Sequence, residues 1–309
     1  MTFRPNPTTL AAASLLLAST LILGACETLD QFITPGTKVD IRGERIAVLP
    51  KAAAVETDPK LANEAVRLPK PVVNGEWPQP GGYADNAMHH LSAAGGLNDV
   101  WNKSIGAGSS SSTRLTSSPV VAGGKIFVLD SEVQVSAYDA KSGDRLWEVN
   151  LTPEDEDSEE GFGGGVAFDA GKLFVSTGFG FVSALDANTG KELWRRMATV
   201  PFRAAPVVNG GRVFVATQEN QLLALAADDG RVLWDHRGIA ESAGILGSNS
   251  VAVSGDTVIV PYTSGELFAL NVRNGRSSWS DTLARSGGLT PLSSLSDISG
   301  RPVIDRGMV

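Results

Sequence analysis

Short apolar runs alternate with polar turn residues through the last two thirds of the chain, and these runs recur at a nearly constant spacing. In the clearest copy, residues 184–194, an apolar strand end leads into Asp186, a turn follows at Gly190, and a second strand carries Trp194. An aspartate side chain accepts hydrogen bonds from the backbone of a following turn, and glycine adopts positive φ without a Cβ clash. The stretch therefore predicts two antiparallel strands joined by a tight turn.

Weaker copies of this stretch lie on both sides of it in the same register. In each copy a tryptophan follows a glycine by four residues, and successive tryptophans are 47, 40 and 45 residues apart, at Trp147, Trp194, Trp234 and Trp279. An upstream apolar run keeps the same register at residues 126–128, 173–175, 213–215 and 258–260. A period in the forties with short strands is typical of repeat architectures.

Each repeat predicts a meander of four strands. In the first repeat the predicted strands are residues 119–122, 125–130, 133–138 and 145–149. Such a sheet cannot cover both of its faces alone, so radial stacking of the sheets around an axis is the natural solution. The predicted fold is therefore an all-β propeller with four complete blades of four antiparallel strands. Each repeat tryptophan is expected to pack between neighbouring blades.

Two segments suggest how the propeller closes. Residues 97–105 resemble the last strand of a repeat without the three strands before it, and Trp101 lies 46 residues before Trp147, in register. We expect this segment to be the closing strand of the final blade and Trp101 to dock like the repeat tryptophans. Residues 301–309 match the opening of a fifth repeat and stop within its predicted hairpin, so the sequence is expected to be a fragment. The predicted propeller domain is residues 91–309.

The N-terminal residues 1–25 predict a signal peptide. Arg4 precedes an apolar run, residues 10–23, that is too short to span a bilayer and fits a secretory signal with a small-residue cleavage site. The run leads through Leu-Gly-Ala into Cys26, the single cysteine, and this stretch resembles the lipobox of bacterial lipoproteins. The resemblance implies lipid attachment at Cys26, and Glu27 in place of an inner-membrane retention aspartate implies an outer-membrane destination. The alternative is an ordinary export signal with an incidental cysteine.

Residues 26–90 are rich in proline and carry only short apolar runs, which is typical of a tether. At its far end, residues 76–82 combine the prolines and glycines that are typical of turns with one tryptophan. We expect that they could dock on the propeller as a lid or plug.

Composition excludes several functional classes. The net charge is −8 and the basic residues are scattered singly, so no phosphate-tracking groove is expected and nucleic acid is not a predicted partner. The acidic run at residues 153–161 is expected to be a solvated loop, and the ligand spacing of an EF-hand is absent from it. The three histidines, His89, His90 and His236, lack metal-ligand spacing. No catalytic residue, metal site or cofactor site is predicted.

The motif at residues 184–194 resembles the tryptophan-docking repeat of quinoproteins. Those eight-bladed propellers hold pyrroloquinoline quinone and calcium and oxidise alcohols or sugars, so eight blades are expected in the intact protein. Many such alcohol-oxidising enzymes stack the quinone against a ring of adjacent cysteines, whereas this chain has one cysteine and is short for such an enzyme. A quinoprotein-like dehydrogenase is therefore the alternative hypothesis.

The lipobox, the proline-rich tether, the segment 76–82 and the degenerate repeats together resemble the BamB family, the propeller lipoproteins of the β-barrel assembly machinery. The resemblance implies a non-enzymatic scaffold at the periplasmic face of the outer membrane. It implies binding to the periplasmic domains of the barrel-inserting, BamA-like subunit, with other assembly lipoproteins and unfolded outer-membrane proteins as further candidate partners. A propeller lipoprotein with another periplasmic binding role is the third possibility.

The same resemblance implies two partner-facing loops. An apolar-x-apolar-Arg stretch is matched by Val200, Phe202 and Arg203, and an acidic Leu-Ser-Asp-x-Asp stretch is matched by Asp297, with Ser299 in place of the second acid. The alternative for Phe202 is packing under the blade, and Arg203 and Asp297 could equally be exposed surface charges.

Overall fold

The structure is a computed structural model that describes residues 58–60, 64–65, 68–93, 95–96, 98–202, 204–241, 250–283 and 297–309. The strands described below all lie in one compact unit formed by residues 67–309.

The sixteen described strands form four blades. Blade 1 consists of β1 (Val120–Ala122), β2 (Lys125–Leu129), β3 (Gln134–Asp139) and β4 (Arg145–Asn150). Blade 2 consists of β5 (Gly165–Asp169), β6 (Lys172–Ser176), β7 (Phe181–Asp186) and β8 (Glu192–Met197). Blade 3 consists of β9 (Val207–Asn209), β10 (Arg212–Ala216), β11 (Gln221–Ala226) and β12 (Val232–Arg237). Blade 4 consists of β13 (Ala252–Ser254), β14 (Thr257–Pro261), β15 (Glu266–Asn271) and β16 (Ser277–Thr282).

The four sheets are antiparallel meanders in chain order, so the predicted all-β fold with four complete blades is confirmed. Each strand predicted for the first repeat agrees with the observed strand to within one residue at either end. The first strand of each blade is the inner one, and β1 lies against β5, β5 against β9, and β9 against β13. This is the radial arrangement expected when every sheet must bury both faces.

The core lies between the blades. Phe127 of blade 1 stacks on Phe168 of blade 2 with ring centroids 5.9 Å apart. The middle strands are buried, whereas the fourth strand of each blade is largely exposed. The apolar residues of β2, β3, β6 and β7 therefore form one core between the first two blades, and this burial is the main favourable contribution to folding.

A β-bulge occurs at the same place in every blade. In blade 1, Ala137 pairs with Trp147 but Tyr138 pairs with Arg145, which leaves Leu146 as the extra residue. The same register shift follows Ala184, Ala224 and Ala269. A bulge increases the local twist and re-aims a side chain, and here it lies beside the tryptophan that must reach the neighbouring blade.

Four of the five predicted docking tryptophans contact the next blade. The indole Nε1 donates to a backbone carbonyl 2.9 to 3.2 Å away, in the pairs Trp101 with Ala140, Trp147 with Ala187, Trp194 with Ala227, and Trp234 with Val272. Trp279 is different, because its side chain is 43% exposed. The equivalent carbonyl would belong to the third strand and turn of a further blade, which the described residues do not include.

The predicted closing strand is not seen within the described residues, and it stays a prediction because its expected partners belong to a final blade that these residues do not include. Residues 98–105 contain no strand, although Trp101 occupies the docking position expected of it. A strand requires a hydrogen-bonded neighbour, and no described segment pairs with these residues.

The remaining predicted segments are described only in part. The acidic insertion contains a short 3-10 helix, Ser158–Gly161, whose N-terminus is capped by the Asp157 side chain. Within the ranges given above, no helix is long and apolar enough to cross a membrane.

The far end of the predicted tether, residues 76–86, lies against the inner strands of the blades. The predicted signal peptide and Cys26 lie outside the described residues.

Candidate functional site

The meander places two kinds of loop at opposite rims of the blades. The first-to-second and third-to-fourth strand turns lie at one rim, which we call the turn rim. The second-to-third strand turns and the connections between blades lie at the other, which we call the connection rim. In blades 2 and 3 the connection rim comprises the turns at residues 177–180 and 217–220 and the connection at residues 198–206. Loops free of the strand ladder can carry binding residues on a rigid scaffold.

The connection at residues 198–206 is held by the turns of both neighbouring blades. The Phe202 N–H donates to the Thr177 carbonyl of blade 2 at 3.2 Å. The Gln218 N–H of blade 3 donates to the Pro201 carbonyl at 2.9 Å. Phe202 and Thr217 also form an isolated antiparallel bridge. The sequence stretch proposed for partner contact is therefore fixed on both sides.

Phe202 is buried rather than displayed. Its side chain is 2% exposed and packs in the apolar core between blades 2 and 3, together with Phe174 and Val213. The burial supports the packing alternative for this ring and corrects the expectation of a surface aromatic. Val200 is half-buried and Pro201 is exposed, so these two residues form the accessible surface of the connection.

The charged members of the predicted site are only partly described. Arg203 lies outside the described residues. Asp297 is half-buried and lies on the chain between β16 and the C-terminal residues, two connections after Phe202. Both connections leave the fourth strand of a blade, so the topology assigns Asp297 to the connection rim.

Asn220 holds the connection between blades 3 and 4, a role that the sequence patterns did not predict. Asn220 adopts a φ of 57°, at the position that Gly180 occupies with a φ of 78° in blade 2. Its Nδ2 donates to the Ile239 carbonyl at 2.6 Å, and its Oδ1 accepts from the Thr263 N–H at 3.0 Å. The sequence offers one weak indication of this turn. Asparagine stands where blade 2 has glycine, and among residues other than glycine it adopts positive φ most readily.

An aromatic cluster with one histidine lies on the same rim between blades 3 and 4. His236 Nδ1 lies 2.9 Å from the Tyr262 hydroxyl, and its ring centroid is 4.7 Å from that of Phe268. Burial lowers the pKa of His236, opposed by the carboxylates of Glu266 and Asp235. Burial also raises the pKa of the Tyr262 hydroxyl. The pair is therefore held neutral and packs as part of the scaffold.

In the part of the chain that the structure describes, no group of three or more His, Cys, Asp or Glu side chains is placed to hold a metal ion.

Two curated proteins share sequence with this chain. An uncharacterized protein of Rickettsia prowazekii, RP232, is 32% identical over 168 residues, which cover 54% of this chain and 40% of that protein. The outer membrane protein assembly factor BamB of Alkalilimnicola ehrlichii is 45% identical over 51 residues, which cover 16% of this chain and 13% of that protein. The chain thus matches less than half the length of either relative.

Solved structures share the propeller fold. BamB from Moraxella catarrhalis aligns with a TM-score of 0.53 at 22% identity, over 61% of this chain and 55% of that one. Quinohemoprotein alcohol dehydrogenase from Comamonas testosteroni aligns with a TM-score of 0.51 at 21% identity, over 67% of this chain and 41% of that one. At these identities the likeness concerns the fold alone.

The family comparison is more specific. The family model described as outer membrane protein assembly factor BamB matches residues 82–148 and 131–309, which together cover most of the chain and all four blades. The chain therefore belongs to the BamB family of outer membrane protein assembly factors.

Proposed function

We propose that this chain is a scaffold subunit of outer-membrane β-barrel assembly and that its connection rim binds the periplasmic domains of the BamA-like, barrel-inserting subunit. The observation that carries the proposal is the connection at residues 198–206, which is clamped between two blades and presents Val200 and Pro201 outward. Family membership supplies the context of outer-membrane assembly.

The clamped connection suits a binding role because little backbone freedom is left to lose on association. Phe202 anchors the loop from beneath, with its ring in the core between the blades. A preordered loop avoids part of the entropy loss that otherwise opposes binding. Arg203 follows directly in the sequence, and arginine beside apolar residues is the composition that interface hot spots favour. In this proposal Val200, Arg203 and Asp297 contact the partner, while the buried Phe202 anchors the connection that carries Val200 and Arg203.

Attachment to the membrane is the second part of the proposal. Acylation at Cys26 would hold the propeller at the periplasmic face of the outer membrane, because several acyl chains on one residue supply a stable anchor. Cys26→Ser should therefore leave the protein exported but no longer associated with the membrane on fractionation. Unchanged membrane association of the variant would remove the lipid anchor from the account.

The partner is tested by affinity purification from detergent-solubilised envelope, with the tagged full-length chain as bait and mass spectrometry as readout. The proposal expects the barrel-inserting subunit among the captured proteins, with other assembly lipoproteins or unfolded outer-membrane proteins as additional partners. Capture that lacks the barrel-inserting subunit but contains another periplasmic protein would favour a different binding role for the propeller.

The alternative enzyme hypothesis is that of a quinoprotein dehydrogenase. The inner strands of blades 1 to 4 contain no arginine or lysine, the side chains that pair best with carboxylates. Pyrroloquinoline quinone carries three carboxylates, and these strands offer no such side chain to pair with them. The match to the BamB family is what favours the scaffold role. Incubation with the quinone and calcium, followed by a dye-reduction assay with alcohols and sugars, distinguishes the two, since turnover would support the enzyme.

A further inference from the structure

A single N-terminal segment contacts the inner strand of every described blade. We call residues 76–86 the hub segment. At each inner strand one backbone N–H donates to this segment, and the donors occupy equivalent positions, two residues before the first turn residue. These donors are Val121, Phe168, Val208, Val253 and, after blade 4, Ile304.

The first two blades are held by main-chain bonds. The Val121 N–H donates to the Trp77 carbonyl at 2.7 Å, and the Trp77 N–H donates to the Val121 carbonyl at 2.6 Å. The Phe168 N–H donates to the Pro78 carbonyl at 2.7 Å. The pairing of Trp77 with Val121 is antiparallel, so the segment begins as a short added strand.

At the third blade a side chain replaces the backbone of the hub segment. Gln79 Oε1 accepts from the Val208 N–H at 3.2 Å, and Gln79 Nε2 donates to the Val208 carbonyl at 2.7 Å. The Gln79 side chain is 6% exposed. A primary amide offers one acceptor and two donors, which lets it copy the bonding of a peptide group. Among the standard side chains of this length, glutamine alone provides both functions.

A tight turn carries the hub segment on to the fourth blade. The Gly82 N–H donates to the Gln79 carbonyl at 2.8 Å, and Gly82 has a φ of 91°. A Cβ at Gly81 would lie 1.7 Å from Asn86 Oδ1, so the turn has no space for a larger residue there. The chain then accepts from the Val253 N–H through the Ala84 carbonyl at 2.6 Å. The Asp85 carbonyl accepts from the Ile304 N–H at 2.9 Å.

The inner strands need such a partner. Each is paired on one side only, as β1 is with β2, so its other edge presents unpaired backbone groups toward the axis. Buried backbone donors without a partner are costly, and an open strand edge invites pairing with another chain. The hub segment accepts a hydrogen bond from one backbone N–H of each inner strand, and these N–H groups lie at equivalent positions near the turn rim.

We propose that the turn-rim mouth of the propeller axis is a binding site for a peptide of the Trp-Pro-Gln-Pro-Gly-Gly type, which enters as a short strand and then turns, and that the chain fills this site with its own hub segment. The bonding begins as β-augmentation between Trp77 and Val121. At the other blades single main-chain bonds and the buried Gln79 amide hold the segment, so the main chain gives affinity and one side chain gives selectivity. The four described blades are thereby tied together at the rim opposite the connections. This inference is independent of the proposed partner.

The site is tested with the full-length chain carrying Cys26→Ser and a protease recognition sequence inserted between Gly95 and Gly96, which are both exposed. After cleavage the N-terminal piece should remain with the propeller on gel filtration. An excess of synthetic peptide spanning residues 74–87 should displace it, and the same peptide with Gln79→Ala should compete at least about tenfold less well. Separation of the two pieces in native buffer would overturn the proposal, as would equal competition by a scrambled peptide.

A second measurement uses the uncut chain, so that it does not depend on cleavage. Gln79→Ala should speed amide hydrogen exchange at Val208 by roughly tenfold or more, because the bond to this N–H is lost. Gln218→Ala is the matched control, since the Gln218 side chain is exposed on the opposite rim. Unchanged exchange at Val208 in Gln79→Ala would contradict the role assigned to Gln79.

Discussion

The indole of Trp147 lies so close over Gly190 of the next blade that a Cβ at Gly190 would be 2.7 Å from Trp147 Cε3. Gly190 also has a φ of 73°, a backbone conformation that side-chain-bearing residues rarely adopt. The same approach recurs between Trp101 and Gly143, and between Trp194 and Gly230. The glycine and the tryptophan of the repeat are therefore two halves of one contact, and each of the four docked tryptophans meets the glycine of the following blade.

Gly190→Ala should destabilise the protein by about 2–4 kcal/mol, because it combines left-handed backbone strain with overpacking against Trp147. The matched control is Gly210→Ala, since Gly210 has a φ of 57° but a Cβ added there would meet no heavy atom within 4 Å. We expect about 1 kcal/mol for the control from backbone strain alone. Urea unfolding of both variants measures the difference, and equal losses would show that the contact with Trp147 contributes nothing.

Trp234→Phe should lower the free energy of unfolding by about 1–3 kcal/mol. The Trp234 side chain is 9% exposed and its Nε1 donates to the Val272 carbonyl at 2.9 Å, so the change removes a bond and leaves a smaller ring in the core. Trp279→Phe is the control, because Trp279 is 43% exposed. Its effect should stay within about 0.5 kcal/mol. Comparable losses for the two variants in chemical denaturation would argue against docking as the role of the repeat tryptophan.

Stability should fall as the pH drops through the range in which His236 titrates. Burial lowers the pKa of His236 in the folded protein, so folding favours the neutral ring. The corresponding stability is present above the unfolded pKa of about 6.5 and is lost as the pH falls through the lower folded pKa. His236→Phe keeps a ring beside Tyr262 and Phe268 but cannot titrate. Thermal unfolding between about pH 5.5 and about pH 7.5 should therefore be less pH-dependent in the variant, and an identical profile would refute the assignment.

Local patterns in the sequence were sufficient to predict the blades. The short apolar runs, the turn glycines and the position of each tryptophan after its glycine act within a few residues of each other, so they can be interpreted without knowing distant contacts. Ala184 and Gly190 illustrate this, since Ala184 pairs with Trp194 and the Gly190 N–H donates to the Asp186 carbonyl in the turn between them.

Features that depend on distant parts of the chain could not be predicted. Residues 98–105 match a strand in composition, yet strand formation depends on a neighbour that the local sequence does not reveal. The Phe202 ring is buried by residues of two blades, whereas its position before a strand suggested an exposed loop. Gln79 bonds to Val208, far away in the sequence, and no short motif encodes that pairing.

Binding of the isolated periplasmic domains of the barrel-inserting subunit to immobilised propeller variants tests the central claim most directly. Arg203→Glu should abolish binding while leaving thermal unfolding nearly unchanged, and Asp297→Arg should weaken it less because Ser299 replaces the second acid of the family pattern. Arg231→Glu is the matched charge reversal, since Arg231 is 65% exposed in a third-to-fourth strand turn at the opposite rim. The account predicts normal binding by Arg231→Glu and loss of binding by Arg203→Glu. Normal binding by both Arg203→Glu and Asp297→Arg would contradict it.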